Sequence, residues 1–211
     1  MGSTVLIDII GSMLIGGLLL LAALRMNDSA TRNTFQSQEQ LTVQQNMTSL
    51  IQNLESDFRK IGYRAGGYAP PTDSCTIYAR NDSIAFMSDL NNDGGLDTVI
   101  WYFRPGPLKN CPNKNVGMLI RKYKGININQ DKWNVDSANL GVTYFHIDYF
   151  ETFGTQLDTL HLPYTIGTIP PPVLMQLTLE VQPSSAYDTA FVSNFAYWTQ
   201  TRLVSRNLTG R

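Results

Sequence analysis

The most extended hydrophobic pattern in the chain covers residues 5–24, where apolar side chains and glycines follow one another with only Asp8 and Ser12 as polar interruptions. About 20 apolar residues in a helix match the roughly 30 Å hydrocarbon layer of a bilayer. The pattern therefore predicts a membrane-spanning helix. It also raises the question of what balances Asp8, because an ionised carboxylate in such a segment needs a partner.

Two simpler interpretations account for the apolar run in part. A cleavable secretory signal has the right position, but such signals begin with basic residues, and residues 1–8 contain none. An ordinary membrane anchor explains the length but not the acid. Gly11, Gly16 and Gly17 thin the helix surface, as occurs where helices approach closely. Packing of this helix against other copies is therefore predicted.

The helix is predicted to continue beyond the apolar run, because neither proline nor glycine occurs from residue 25 until Gly62. Its second half carries apolar residues at steps of three and four, the stripe of a helix packed on a core: Met47, Leu50, Ile51, Leu54, Phe58 and Ile61. The Gln, Asn, Glu and Asp residues between them are expected on the other, polar face. Gly62 and the following "YRAGGYAPP" predict the helix end.

The rest of the chain has the short period of β-strands. Residues 176–182 are clearest, with Leu177, Leu179 and Val181 alternating with polar residues. The predicted fold class is α+β, a long N-terminal helix packed on an antiparallel sheet. The predicted parts are an apolar helix segment at 1–27, an amphipathic continuation at 28–62 and a β domain at 63–211. Seven segments are predicted as strands: "SCTIYARN", "SIAFMSDL", "DTVIWYFRP", "VGMLIRKYK", "GVTYFHIDYFE", "VLMQLTLEVQ" and "YWTQTRLVSRNL".

Net charge and cysteine content indicate which partners and which cellular compartment to expect. The 211 residues carry a formal net charge of −1, so neither nucleic acid nor an anionic surface is indicated as a partner. Cys75 and Cys111 have no second Cys or His nearby at the spacing of a zinc site. The two predict a disulfide, which requires an oxidising compartment. Two unrelated buried thiols are the alternative.

An enzyme is not predicted, because the sequence has no phosphate loop, nucleophile elbow, HExxH or paired CxxC motif. No cofactor is required. His146 falls in an alternating strand and is expected to be half-buried or at the surface, and His161 falls in a loop. Trp101, Trp133 and Trp198 are expected to pack against residues of neighbouring strands.

The segment "DLNNDGGLD" is the one candidate for metal chemistry. Asp89, Asn91 and Asp93 offer oxygen ligands at alternate positions, as in many calcium loops. Gly94 permits a sharp turn, and Asp97 can complete the coordination shell of the ion. The bidentate Glu of an EF-hand is missing. The same residue types are expected in a metal-free hairpin turn, so calcium and a simple turn both stay open.

The order of these features resembles the type IV pilin family, which includes pilus subunits, minor pilins and the pseudopilins of type II secretion. The resemblance covers essentially the whole chain. Four stretches are similar to the large minor pilins of the PilW type and to the J-type minor pseudopilins: "LESDFRKIGYRAGG", "SIAFMSDLNNDGGLDTVIWYF", "GVTYFHIDYF" and "YWTQTRLVSRNL".

The resemblance implies a processing site and an assembly contact. In that family a prepilin peptidase removes a short leader ending in Gly, and an acid at the fifth mature position faces the terminal amine of a neighbouring subunit. Carried over, Gly2 ends the leader and Asp8 is the acid. Cleavage after Gly2 makes Asp8 the sixth residue, and cleavage after Ser3 makes it the fifth. A carboxylate in an apolar bundle is tolerable when an ammonium pairs with it.

The function implied is that of a structural filament subunit. Residues 1–27 would cross the bacterial inner membrane, with the C-terminal domain outside the cytoplasm, and would then enter the core of a pilus or pseudopilus at the cell surface. Its partners would be other pilin subunits, the membrane and the peptidase. The alternative from another class is a membrane-anchored or secreted binding or adhesion module that captures a ligand through loops 126–139 or 161–173.

Overall fold

A computed structural model describes residues 2–66, 75–109, 111, 113–125, 133–138, 140–151, 153–157, 174–183 and 197–204, apart from the side chains of residues 2–4, 138 and 197–200. The chain divides into two compact units, Met1–Thr42 and Val43–Arg211. Within the described residues there are one helix and eight strands: α1 Gly2–Arg59, β1 Thr76–Ala79, β2 Ser83–Ser88, β3 Asp97–Arg104, β4 Met118–Lys124, β5 Asn134–Ala138, β6 Val142–Phe150, β7 Leu174–Val181 and β8 Tyr197–Val204.

The N-terminal unit is formed by the first part of α1, as the apolar run predicts. Every residue from 5 to 24 is exposed except the half-buried Gly11. Leu14, for example, is 63% exposed and Leu20 is 63% exposed. By its length and composition, α1 is suited to cross a membrane.

The polar middle of α1 holds its hydroxyl groups close to its own backbone. Several exposed Ser and Thr side chains donate a hydrogen bond to the carbonyl four residues earlier, at 2.8–2.9 Å. Arg32 also pairs with Asp28 across one turn at 3.2 Å. Such bonds satisfy the hydroxyls at a slight cost to helix stability, and α1 nonetheless continues to Arg59. The hydroxyl donors are Thr31, Thr34, Ser37, Thr42 and Thr48.

In the second unit, the predicted stripe of α1 forms part of the core. Leu50, Leu54, Phe58 and Ile61 are buried, and the partly buried Met47 and Ile51 pack beside them. Phe58 meets Phe86 of β2 edge to face, with ring centroids 6.0 Å apart. Burying each large apolar side chain contributes about 2 kcal/mol. The stripe therefore fixes this part of α1 on the sheet.

The helix ends where the sequence predicts. Gly62 has a φ of 72°, a left-handed conformation that glycine adopts without the steric cost of a Cβ atom. Its amide donates to the Met87 carbonyl at 2.9 Å. The chain leaving α1 is thereby tied to the end of β2.

The strands form two antiparallel sheets rather than the single sheet predicted. The five-stranded sheet has the order β1-β2-β3-β4-β5 and the three-stranded sheet the order β6-β7-β8. Gly141, before β6, has a φ of 80°, and a Cβ at this position would lie 2.0 Å from the Gln182 carbonyl oxygen. This close turn directs β6 onto β7, where Val142 pairs with Val181. The sequence pattern identifies strands but not the sheet that each one joins.

All seven predicted strands are confirmed, and one further strand, β5, is not predicted by the sequence pattern. The alternation in β7 is also confirmed, because Leu177, Leu179 and Val181 are buried while the intervening residues are half-buried. Gln182, expected on the wet face, is only 8% exposed and accepts a hydrogen bond from the Asn113 side chain.

Candidate functional site

A buried carboxylate joins α1 to the five-stranded sheet. Asp57 is 7% exposed, and its Oδ2 accepts hydrogen bonds from Trp101 Nε1 at 2.8 Å and Arg121 Nε at 2.6 Å. Arg121 Nη2 donates to Oδ1 at 3.1 Å. The expectation that the acids of this helix segment lie on the polar face is therefore wrong for Asp57. It follows Leu54 by three residues and precedes Ile61 by four, so helical spacing places it on the packed side.

Arg121 extends this contact to the edge of the sheet. Its Nη1 donates to Asp136 Oδ2 at 3.1 Å, and its guanidinium lies 4.8 Å from the centre of the Tyr123 ring. Burial alone would lower the pKa of Arg121, but the hydrogen bonds and charges of Asp57 and Asp136 raise it above its ordinary value. Arg121 is thus a fixed cation between two carboxylates.

A cleft of roughly 630 Å³ lies in the second unit, between α1 and the face of β4 and β5 that packs toward it. Its walls combine apolar and polar side chains, which suits an extended amphipathic ligand better than a purely apolar one. Asp57 is neutralised by Arg121, whereas the Asp136 side chain is 62% exposed at the rim. The lining residues are Leu50, Asn53, Ser56, Asp57, Trp101, Leu119, Arg121, Val135, Asp136, Ser137 and Leu140.

The predicted calcium segment is built around the fully buried Asp89. Its carboxylate accepts backbone hydrogen bonds from Ala65 at 3.0 Å, Gly94 at 2.9 Å and Asp93 at 3.2 Å. Burial raises the pKa of Asp89, and the backbone hydrogen bonds outweigh it, so the pKa is lowered overall. Asp89 therefore holds the segment after α1 against the turn between β2 and β3.

The other candidate calcium ligands also serve this turn. Asn91 Oδ1 accepts a hydrogen bond from the Asp93 amide at 3.2 Å, and Asp93 Oδ1 accepts one from Gly95 at 2.7 Å. Asp97 Oδ2 accepts one from the Leu90 amide at 2.9 Å. Among the residues that the structure describes, no three His, Cys, Asp or Glu side chains converge as metal ligands would. The geometry favours the hairpin-turn interpretation, and calcium binding stays a prediction.

The lowered pKa of Asp89 predicts a specific pH dependence of stability. A carboxylate with a depressed folded-state pKa stabilises the fold above its unfolded pKa of about 3.9, and that contribution is lost as pH falls through the lower folded value. Asp89→Asn is expected to reduce the free energy of unfolding at pH 7. The deficit should shrink as pH falls below the unfolded pKa of about 3.9 and through the lower folded value, as measured by urea titration. Asp28→Asn, an exposed acid of the other unit, is the control, and an equal deficit at every pH would contradict the assignment.

The remaining candidate residues lie on the first part of α1 and in the second unit. Asp8 is exposed on the apolar surface of α1, and Gly2 and Ser3 are described only by their helical backbone. Cys75 and Cys111 are both buried, at 1% and 5% exposure. The disulfide and the processing site stay predictions.

His146 is half-buried in β6, as the sequence predicts, and its Nε2 lies 3.1 Å from Asp148 Oδ1. Trp101 is buried and Trp133 is 43% exposed. His161, the side chain of Trp198 and the proposed ligand loop 161–173 lie outside the described residues. Of loop 126–139, residues 133–138 are described, and they contain β5.

Comparison with known proteins adds no family assignment. No protein-family model matches the chain, and no curated protein matches it. The structure itself defines a class that is broader than a family: an α+β chain with antiparallel sheets and an apolar N-terminal helix long enough to cross a membrane.

Proposed function

We propose that the chain is a structural, non-enzymatic subunit of a type IV pilin-like filament, either a minor pilin or a type II secretion pseudopilin. One observation carries the proposal: the apolar surface of residues 5–24 is exposed and holds a single acid, Asp8. The second unit, by contrast, has a well-formed core of its own.

The exposed apolar surface favours an apolar environment from which water is excluded. Burying apolar surface gains about 25 cal/mol per Å², so the exposed leucines, isoleucines and valines of this run strongly favour lipid or other helices over water. Before assembly this helix would lie in the inner membrane, and after assembly it would lie in the filament core. It therefore exchanges one apolar environment for another. Asp8 then provides register, because its carboxylate is stable there only when a cation, such as the terminal amine of the next subunit, lies beside it.

The proposed localisation and partners follow from this exchange. The C-terminal domain lies outside the cytoplasm before assembly and on the outside of the filament afterwards. The partners are other pilin or pseudopilin subunits and the prepilin peptidase. The role within the filament is priming, tip formation or adhesion.

Mass spectrometry of the mature N-terminus tests this proposal. Intact-mass and peptide analysis of the membrane-extracted protein is expected to show a chain beginning at Ser3 or Thr4, with a methyl group on its amine. The physical reason is that processing must leave the apolar run intact for assembly. Cleavage beyond residue 24 would instead identify a secretory signal and contradict the proposal.

A second candidate function is supported by the cleft beside β5. A membrane-anchored or secreted binding or adhesion module would use such a cleft of roughly 630 Å³ for a ligand. Asp8 distinguishes the two candidates. Its replacement should impair assembly of a filament subunit but should leave ligand binding by an adhesion module intact.

A further inference from the structure

β5 is an edge strand of the five-stranded sheet. In the part of the chain that the structure describes, it pairs only with β4 and stands at the end of the five-stranded order. Edge strands are commonly protected by short length, by charged side chains, by proline or by a bulge. β5 has the sequence "NVDSA", with one charged residue and neither lysine nor proline, and its register with β4 is regular. Of the other edge strands, β1 and β6 carry register shifts and β8 does not.

Exposed apolar side chains mark the same edge. Val135 within β5 is 52% exposed, and Trp133 just before it is 43% exposed. The cleft opens here, with Leu50 and Leu119 among its apolar walls and Ser137 and Asp136 at the strand itself. A strand added beside β5 would continue the sheet, and every second side chain would enter the cleft.

We propose that β5 and the cleft form a site that captures an extended segment of another polypeptide by β-strand addition. Backbone hydrogen bonds to β5 supply affinity, and the cleft selects the side chains that face α1. The selected pattern has apolar residues and a lysine or arginine at successive inward-facing positions.

The charges of the cleft select a cation. Arg121 makes two hydrogen bonds to Asp57 and one to Asp136, so two carboxylates share one cation. The formal excess of one negative charge falls on Asp136, whose side chain is 62% exposed. A lysine from the added strand meets this carboxylate across the strand pair, where opposite charges are favourable.

The same charge argues against a second copy of β5 as the occupant. Antiparallel pairing of two β5 strands about their centres would place Asp136 opposite Asp136, and like charges directly opposite are destabilising. This self-pairing is therefore disfavoured, and the proposed occupant is a segment of different sequence.

Hydrogen exchange with designed peptides tests the site in the full chain held in neutral detergent micelles. The probes are acetyl-TLTKTLT-amide and its glutamate counterpart acetyl-TLTETLT-amide. The lysine peptide is expected to slow amide exchange in residues 134–138 and to bind about threefold more tightly than the glutamate peptide, the scale of an exposed ion pair. Asp136→Asn, which retains an acceptor for Arg121, is expected to remove this preference.

Asp28→Asn is the matched control, because Asp28 is also about two-thirds exposed and pairs with an arginine at 3.2 Å, as Asp136 does at 3.1 Å. This variant should keep the lysine preference. The proposal is overturned if neither peptide protects residues 134–138, if both bind equally to the unaltered chain, or if those amides are already as protected as β3 without peptide. The test requires no filament. Peptide binding can therefore be absent while the chain is a filament subunit, and peptide binding can be present while the chain is not a filament subunit.

Discussion

Asp8→Ala is expected to abolish filament assembly while leaving the second unit folded. In the proposed filament core, the variant would leave the neighbouring terminal ammonium buried without a counter-charge, which costs about 3 kcal/mol or more. That corresponds to at least a hundredfold weaker subunit addition. The measurement is the amount of subunit in filaments sheared from cells and counted by electron microscopy, with total subunit determined by immunoblot.

Ser12→Ala is the matched control for this experiment. Ser12 is the other polar interruption of the apolar run, and its hydroxyl donates to the Ile9 carbonyl of its own helix at 2.9 Å. It therefore has no demand for an outside partner, and its removal should leave assembly unchanged. Asp8→Glu should retain filaments because the charge remains. Normal filaments from Asp8→Ala would falsify the assembly mechanism.

Asp57→Ala is expected to lower the free energy of unfolding by about 3 kcal/mol, the scale for removing one partner of a buried ion pair. Two donors lose their acceptor in this variant, Trp101 Nε1 and the Arg121 guanidinium, in a site that is 7% exposed at Asp57. Urea denaturation followed by tryptophan fluorescence provides the measurement. A shift below about 1 kcal/mol would show that solvent compensates both donors.

Glu55→Ala provides the comparison within the same helical turn. Glu55 also pairs with an arginine, Arg59, but on the exposed side of α1, where such pairs contribute about 0.5 kcal/mol or less. The double variant Asp57→Ala/Arg121→Met should be more stable than the sum of its single changes predicts, because the Arg121 donors that Asp57 accepted are then also absent. Additive effects would contradict direct coupling between these two residues.

Local patterns in the sequence account for most of the fold. The stripe around Leu54 and the alternation in β7 follow from periods that neighbouring residues display, and the end of α1 at Arg59 follows from the glycine at position 62. β5 lacks such a signal, because Val135 is its only strong strand former and its pairing depends on β4. The division into two sheets likewise depends on contacts between distant segments.

The candidate site was less predictable for the same reason. Asp57 and Arg121 are separated by 64 positions, so no local pattern relates them. The spacing of Asp57 from Leu54 does indicate a packed position, but its residue type indicates solvent, and only the guanidinium brought by β4 resolves that conflict. Asp136 could not be placed beside them without β5.

The order of the two sheets has a consequence for how the domain folds. Among the strands that the structure describes, each pair joins strands that are consecutive in numbering, from β1-β2 through β4-β5 and from β6-β7 to β7-β8. Each pairing therefore closes with comparatively little loop entropy and can form as soon as its second strand is available. Residues 43–61 are synthesised before every strand that covers their apolar stripe. The apolar stripe of the helix therefore stays exposed until the strands form. The sheets can then form by successive pairing of neighbouring strands.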